Sequence, residues 1–347
     1  MKRAHPCQTH HLDNELNSLI ETLRNLPEIK GKRAIKLAAE LTDKYSGLPL
    51  EKLYELPGDD CAAFRDPQGY RLLAMEGMLP GFVGSDPRAA GWSSVMVNIS
   101  DIAAMGGRAE AVVNAFWHHD EGASAEILFH IKRACDVFGV HFAGGHSSIG
   151  KGFQPGLAVA ITGHANQLLS CHHLAPNQKL YLLTDLDGSW HKESAYWGVV
   201  GGKTPEQIRK QWQLPAELAD EGHAVAAKDI SNGGILGTLV MMLELTGCGA
   251  SVDLNSLPRP NPEKHDDDLL RWLRAFQSFG FLLAVEPSRA TALEKRMAES
   301  HLTCQCIGDI NNTGKISLGY HRQQGYFWDL HSDSLTNMGG PNARCQF

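Results

Sequence analysis

Gly58-Asp59-Asp60-Cys61-Ala62-Ala63 sets two adjacent carboxylates after a glycine and before an apolar run. About forty residues on, Asn98-Ile99-Ser100-Asp101-Ile102-Ala103-Ala104-Met105-Gly106-Gly107 sets a third carboxylate inside an otherwise apolar helical stripe. Carboxylates among apolar residues are costly unless something positive meets them. Hard cations such as Mg²⁺ take oxygen ligands and bridge one or two carboxylates to substrate phosphates. The pattern points to a magnesium–nucleotide site. On the residues alone, Asp59-Asp60 after Gly58 also fits a simple turn.

Two further stretches belong to the same chemistry. In Lys228-Asp229-Ile230-Ser231-Asn232-Gly233-Gly234 an acidic residue ends a strand, and a serine and glycines open a helix. Free N–H groups at a helix start favour anions, although Ser231 also fits an ordinary N-cap. Phe142-Ala143-Gly144-Gly145-His146-Ser147-Ser148-Ile149-Gly150-Lys151-Gly152 approaches a Walker A loop. Gly152 stands where that loop has Ser or Thr, and a β-rich run follows where a helix is required, so this is not a P-loop. It remains a glycine-rich loop whose backbone can line an anion. Lys32 and Lys151 are each either a phosphate clamp or a solvated lysine.

These residues need elements to hold them. Leu12, Leu16, Leu19, Ile20 and Leu23 recur at helical spacing and predict a helix over 12–25, ended near Pro27, with a second helix over 32–45. Residues 70–75 read as a strand. Asp86-Pro87 starts a helix, with Asp as N-cap and Pro at the first position. Its stripe of Trp92, Val95, Met96, Ile99, Ile102 and Ala103 ends at Gly106-Gly107. Strands over 112–117, 140–143 and 157–162 and a helix ended by Gly139 complete a mixed α/β domain. Past Pro176, strands and helices over 179–307 give an α+β domain, and 320–347 reads as polar and irregular. The domain organisation expected is a helical extension over 1–50, domains over 51–170 and 171–320, and a tail over 321–347.

At 347 residues, about two domains are expected. The net charge of −7 without a Lys/Arg run argues against a nucleic-acid partner. No apolar run approaches the roughly 20 residues of a membrane span, and the N-terminus has no apolar signal core. The eight cysteines form no C-x-x-C pair, so reduced thiols and a cytoplasmic location are expected. Among 17 histidines the pairs His10-His11, His118-His119 and His172-His173 fall in expected loops without an H-E-x-x-H, which disfavours zinc. Cys304-x-Cys306 reads as buried thiols of a strand. Cys7 lacks the glycines or basic neighbour that would make it a nucleophile.

The four acidic and glycine-rich stretches, in this order, resemble the aminoimidazole ribonucleotide (AIR) synthase superfamily. That PurM-like group includes thiamine-monophosphate kinase, selenophosphate synthetase, the hydrogenase maturation protein HypE and formylglycinamide ribonucleotide amidotransferase. The likeness spans roughly residues 55–320. It implies an α+β (mixed α/β) two-domain fold, with an N-terminal α/β domain that pairs with its twin into a dimeric barrel and a C-terminal α+β domain. It further implies ATP and Mg²⁺ bound between the domains and a small-molecule substrate. By position, Asp60, Asp101 and Asp229 look like the metal carboxylates. Asp59, Glu76, Asp101, Gly144, Gly145 and His146 look like nucleotide contacts, with Glu76 where relatives have the Asp of a Thr-Asp pair.

The branch is less defined. Gly-Gly-His-Ser resembles selenophosphate synthetase, but that family's Gly-Cys-Gly-Cys-Lys loop is missing. Thiamine-monophosphate kinase has Asp where this chain has His146 and Asn232. The resemblance implies an ATP- and Mg²⁺-dependent kinase or synthase of an AIR synthase-related branch. The alternatives are a selenophosphate synthetase-like or thiamine-monophosphate kinase-like activity, or a non-catalytic nucleotide-binding accessory.

Overall fold

A computed structural model describes residues 9–41, 58–263, 265 and 268–339. Cys7 and Cys345 lie outside the described residues, as does most of the loop around Gly47 and Pro49. The chain divides into two compact units.

The unit that carries the acidic residues comprises described residues 58–173 and 198–229. Its five strands lie in the order Ala62–Asp66, Gly69–Met78, Gly156–Ala165, Arg108–His118, His141–Ile149. All neighbours are antiparallel except the last pair, which is parallel. Alternation along the strands sends Leu72, Ala74, Val112, Phe116, Val159 and Ile161 to one buried face. The Pro87–Ala104 helix packs on that face through Val95, Ile99 and Ile102. As the sequence predicts, Asp86 is its N-cap, accepting from the Ala89 N–H at 3.0 Å, with Pro87 next. The Glu121–Phe138 and Pro205–Asp220 helices flank it. The Phe138 ring sits 5.8 Å from Trp92 and 5.1 Å from Trp212, and Trp212 Nε1 donates to Ser100 Oγ at 3.0 Å. Buried on several sides, this helix carries Asp101 into the interior.

The opposite sheet face is open. Leu73, Met75, Val113 and Trp117 are 44%, 70%, 46% and 40% exposed on it. Strands Gly69–Met78 and Arg108–His118 are both interior to the sheet, so what they leave open is a face and not an edge.

In the second unit, which holds described residues 9–41, 174–197 and 230–339, the strands run Gln323–Asp329, Lys315–Tyr320, Gly249–Asp253, Thr303–Asn311, Lys179–Thr184, Gly280–Val285. The N-terminal segment is Thr9–Arg24, Pro27–Gly31, a 3-10 turn over Lys32–Ala34, and Ile35–Leu41, so the helix expected over 32–45 opens as a 3-10 turn and is α-helical from Ile35, with 42–45 outside the described residues. It is pinned to this unit. Arg24 donates to the Phe327 and Tyr326 carbonyls at 2.5 and 2.6 Å, and Arg33 forks onto Asp333 at 2.8 and 2.6 Å. Residues 320–347 are not wholly irregular: Gln323–Asp329 is a strand paired with Lys315–Tyr320, because Phe327 and Trp328 are buried by it. The following residues are tied down by buried Glu244, which accepts from Ser334 Oγ, Thr336 N–H and Oγ, and Asn337 N–H at 2.6–3.1 Å.

Candidate metal and nucleotide site

Asp60, Asp101 and Asp229 come from three separate elements of one unit. Asp60 lies in the turn after Gly58, Asp101 near the end of the Pro87–Ala104 helix, and Asp229 at the end of strand Ala226–Asp229. One carboxylate oxygen from each lies within 4.8 Å of the others. Asp101 is 7% exposed, and its Oδ2 is buried with no hydrogen-bond partner. Burial first, then the charges of Asp229, Glu76 and Asp60, push its carboxyl well above the usual carboxylate range. A cation at this point would reverse the repulsion.

The donor set fits a hard divalent ion. All three groups offer oxygen, and adjacent oxygens on one octahedral Mg²⁺ at about 2.1 Å stand about 3.0 Å apart. Closing a set that lies within 4.8 Å onto one ion takes side-chain movements of at most about 1 Å. No imidazole or thiolate belongs to the set, which disfavours zinc.

Lys228 is the residue that sequence reasoning overlooked. Its Nζ donates to Asp60 Oδ1, the two side chains being 6% and 7% exposed. Burial alone would lower its ammonium, but the carboxylate of Asp60 holds it above the ordinary lysine value. The Asp229 N–H donates to Asp60 Oδ2 at 3.2 Å. Asp60 is thus fixed from both oxygens. A lysine inside the buried strand Ala226–Asp229 was the available signal, since such a charge needs a carboxylate.

Asp59 has its own donors. Its Oδ2 accepts from Ser170 Oγ and the Cys171 N–H, both at 2.8 Å, while its Oδ1 is buried and unpartnered. Thiols around the site are held protonated: burial, then the surrounding carboxylates, push Cys61 and Cys171 well above their usual range. Glu76 is exposed on strand Gly69–Met78, and its charge reaches Asp101.

Gly144, Gly145 and His146 lie within the edge strand His141–Ile149; the expected loop is absent. The strand is kinked there by the register shift against Val112 and Asn114. A Cβ on Gly145 would stand 2.1 Å from the Asn114 carbonyl oxygen, whereas the space beside Gly144 is open. His146 is exposed, its Nε2 3.2 Å from Ser148 Oγ. Ser231 does not cap the following helix: Gly233 is the N-cap of Gly234–Glu244, and the Ser231 N–H donates to Thr238 Oγ1. His10-His11 lie in helix Thr9–Arg24, His118 ends a strand with His119 in the bend after it, and His172-His173 belong to a 3-10 turn, so of the three pairs expected in loops His119 alone falls outside a regular element. Cys304 and Cys306 are half-buried in strand Thr303–Asn311. Lys151 is exposed in a turn.

Residues 58–165 match the AIR synthase related protein N-terminal domain, and residues 182–321 match its C-terminal domain. An uncharacterized protein of Synechocystis sp. is 37% identical over 284 residues, covering 82% of this chain and 87% of its own length. Thiamine-monophosphate kinase of Haemophilus influenzae is 24% identical, covering 73% of this chain and 82% of its own. The solved structure of AaThiL complexed with AMPPCP and TMP aligns with a TM-score of 0.58 at 17% identity, covering 79% of this chain and 93% of that one. That structural likeness concerns the fold: mixed α/β with two sheet-bearing parts. Among the described residues, no helix is long and apolar enough to cross a membrane.

Proposed function

Since the chain belongs to the AIR synthase-related family, whose members use ATP, we propose that it is an ATP- and Mg²⁺-dependent enzyme that transfers a phosphoryl group to a small metabolite. The observation that carries this reading is the convergence of Asp60, Asp101 and Asp229 around the unpartnered buried Oδ2 of Asp101. Asp59, Asp60, Asp101, Asp229 and Glu76 all bear on this neighbourhood, with Lys228 set against Asp60, and this concentration of carboxylates favours a cation.

In this reading Asp60, Asp101 and Asp229 hold the metal. Bound there, Mg²⁺ would neutralise phosphate oxygens and the charge developing on the transferred group. Lys228 locks Asp60 in place and relieves part of the repulsion between the ligands. Asp59, Glu76 and the Gly144-Gly145-His146 segment are the nucleotide contacts. Gly144 offers backbone without a side chain in the way. With no protonatable base of its own required, catalysis rests on positioning and charge. The open apolar face around Met75, Val113 and Trp117 supports a homodimer built through this unit. The reading is of a cytoplasmic enzyme whose acceptor is unidentified.

The test is ADP formation by the purified protein with Mg²⁺, ATP and fractionated metabolite pools. Acceptor-dependent ADP release supports the enzyme. ATP binding with no turnover across the pools favours the accessory reading, in which Glu76, His146 and Asn232 mark lost activity.

A further inference from the structure

On the outer face of the second unit's sheet, far along the chain from the acidic residues, four neighbouring strands frame a cavity of about 310 Å³. Ser251, Asn311, Lys315, Ser317, Gln324 and Tyr326 line it. Its shape depends on a β-bulge. Lys315 pairs with Asp329 and Ile316 with Trp328, but Ser317 then pairs with Tyr326, so Phe327 is an extra residue. Phe327 and Trp328 are consequently both buried, and Tyr326 is turned outward opposite Ser317, 66% exposed. Bulges re-aim side chains in this way beside binding sites.

The lining has a consistent chemistry. Ser317 Oγ lies 3.2 Å from Ser251 Oγ, Asn311 Nδ2 donates to Ser251 Oγ at 3.5 Å, and Thr313 Oγ1 donates to Asn311 Oδ1 at 2.5 Å. Hydroxyls and carboxamides both donate and accept, which suits partners that do the same. Charge is balanced: Lys315 Nζ sits 3.5 Å from Asp329 Oδ2 and 5.6 Å from the centre of the Tyr326 ring. An anion therefore finds no surplus cation here. The Tyr326 ring gives one flat, amphipathic wall. The volume falls at the lower end of the roughly 300–1,000 Å³ of small-molecule pockets.

We propose that this pocket binds a neutral polyhydroxylated molecule about the size of one sugar ring, its C–H face on Tyr326 and its hydroxyls on the Ser251–Ser317–Asn311 network. The site is separate from the acidic cluster and does not depend on the activity proposed for it.

Saturation-transfer NMR on the full chain, with glucose, ribose and N-acetylglucosamine as probes and inorganic phosphate as the anionic control, tests this. The expected result is transfer to the ring protons of at least one sugar and none of the effect displaced by phosphate. Tyr326→Ala should weaken that binding at least tenfold with the melting midpoint unchanged, because the ring is exposed. Ser317→Val should weaken it as well. No transfer to any of the three sugars, undiminished transfer in both variants, or displacement by phosphate would each overturn the proposal.

Discussion

Replacing Lys228 with Met should expose how the acidic cluster is held together. The Met side chain keeps nearly the same length and removes only the charge. Asp60, 7% exposed, then keeps a carboxylate whose remaining donor is the Asp229 N–H at 3.2 Å, with Asp101 and Asp229 beside it. Breaking a buried ion pair by removing one partner costs about 3–5 kcal/mol. At roughly 2–4 °C per kcal/mol this lowers the melting midpoint by about 6–20 °C in metal-free buffer with chelator. Two further arms separate charge from packing. Adding Mg²⁺ should return part of the loss to Lys228→Met, since a cation replaces the missing one. Combining Lys228→Met with Asp60→Asn should cost less than Lys228→Met alone, because the stranded charge is gone. The reasoning is refuted if Lys228→Met melts within about 1 kcal/mol of wild type, or if the double variant is no better than the single one.

Other outcomes follow from the same structure. Gly145→Ala would drive a methyl to 2.1 Å from the Asn114 carbonyl oxygen, so the edge strand must shift; melting should fall and the response to Mg-ATP should weaken. Val113→Glu with Trp117→Glu should shift a dimer to monomer in light scattering, while a wild-type chain that is monomeric at every concentration would remove the basis for the open face as an interface. The Arg33 hydrogen bond holds the Asp333 carboxyl below its ordinary value, so the pair stabilises the fold above about pH 4 and the benefit fades as pH falls further. Arg33→Ala should therefore cost at most about 1 kcal/mol at pH 7, as both groups are near 40% exposed, and its melting curve should converge on wild type in acid.

Much of the fold was legible because its signals are local. Asp86-Pro87 and the glycines at 106 and 139 marked helix ends that chain geometry imposes. Asp101 stood out because a carboxylate in an apolar stripe has a cost visible from sequence. The order of the strands was not legible, since pairing Gly156–Ala165 between Gly69–Met78 and Arg108–His118 is a long-range choice. The expected Gly144-Gly145-His146 loop is a kinked strand because tight backbone approach to Asn114, which sequence does not show, also demands glycine. Lys228 was missed because its role is defined by Asp60, 168 residues away. The strand Gln323–Asp329 was hidden by its bulge, which puts two buried residues in succession and breaks the alternation.

The most direct test of the central claim is a melting titration with Mg-ATP on wild type and Asp101→Asn side by side. At a hundredfold excess over the dissociation constant, ligand binding should stabilise the wild type by about 2.7 kcal/mol. Asp101→Asn keeps the shape and lowers the repulsion, so its ligand-free melting should match or exceed wild type while most of the Mg-ATP gain disappears. Equal stabilisation of both proteins, or none of the wild type, would contradict the assignment of Asp60, Asp101 and Asp229 to a metal–nucleotide site.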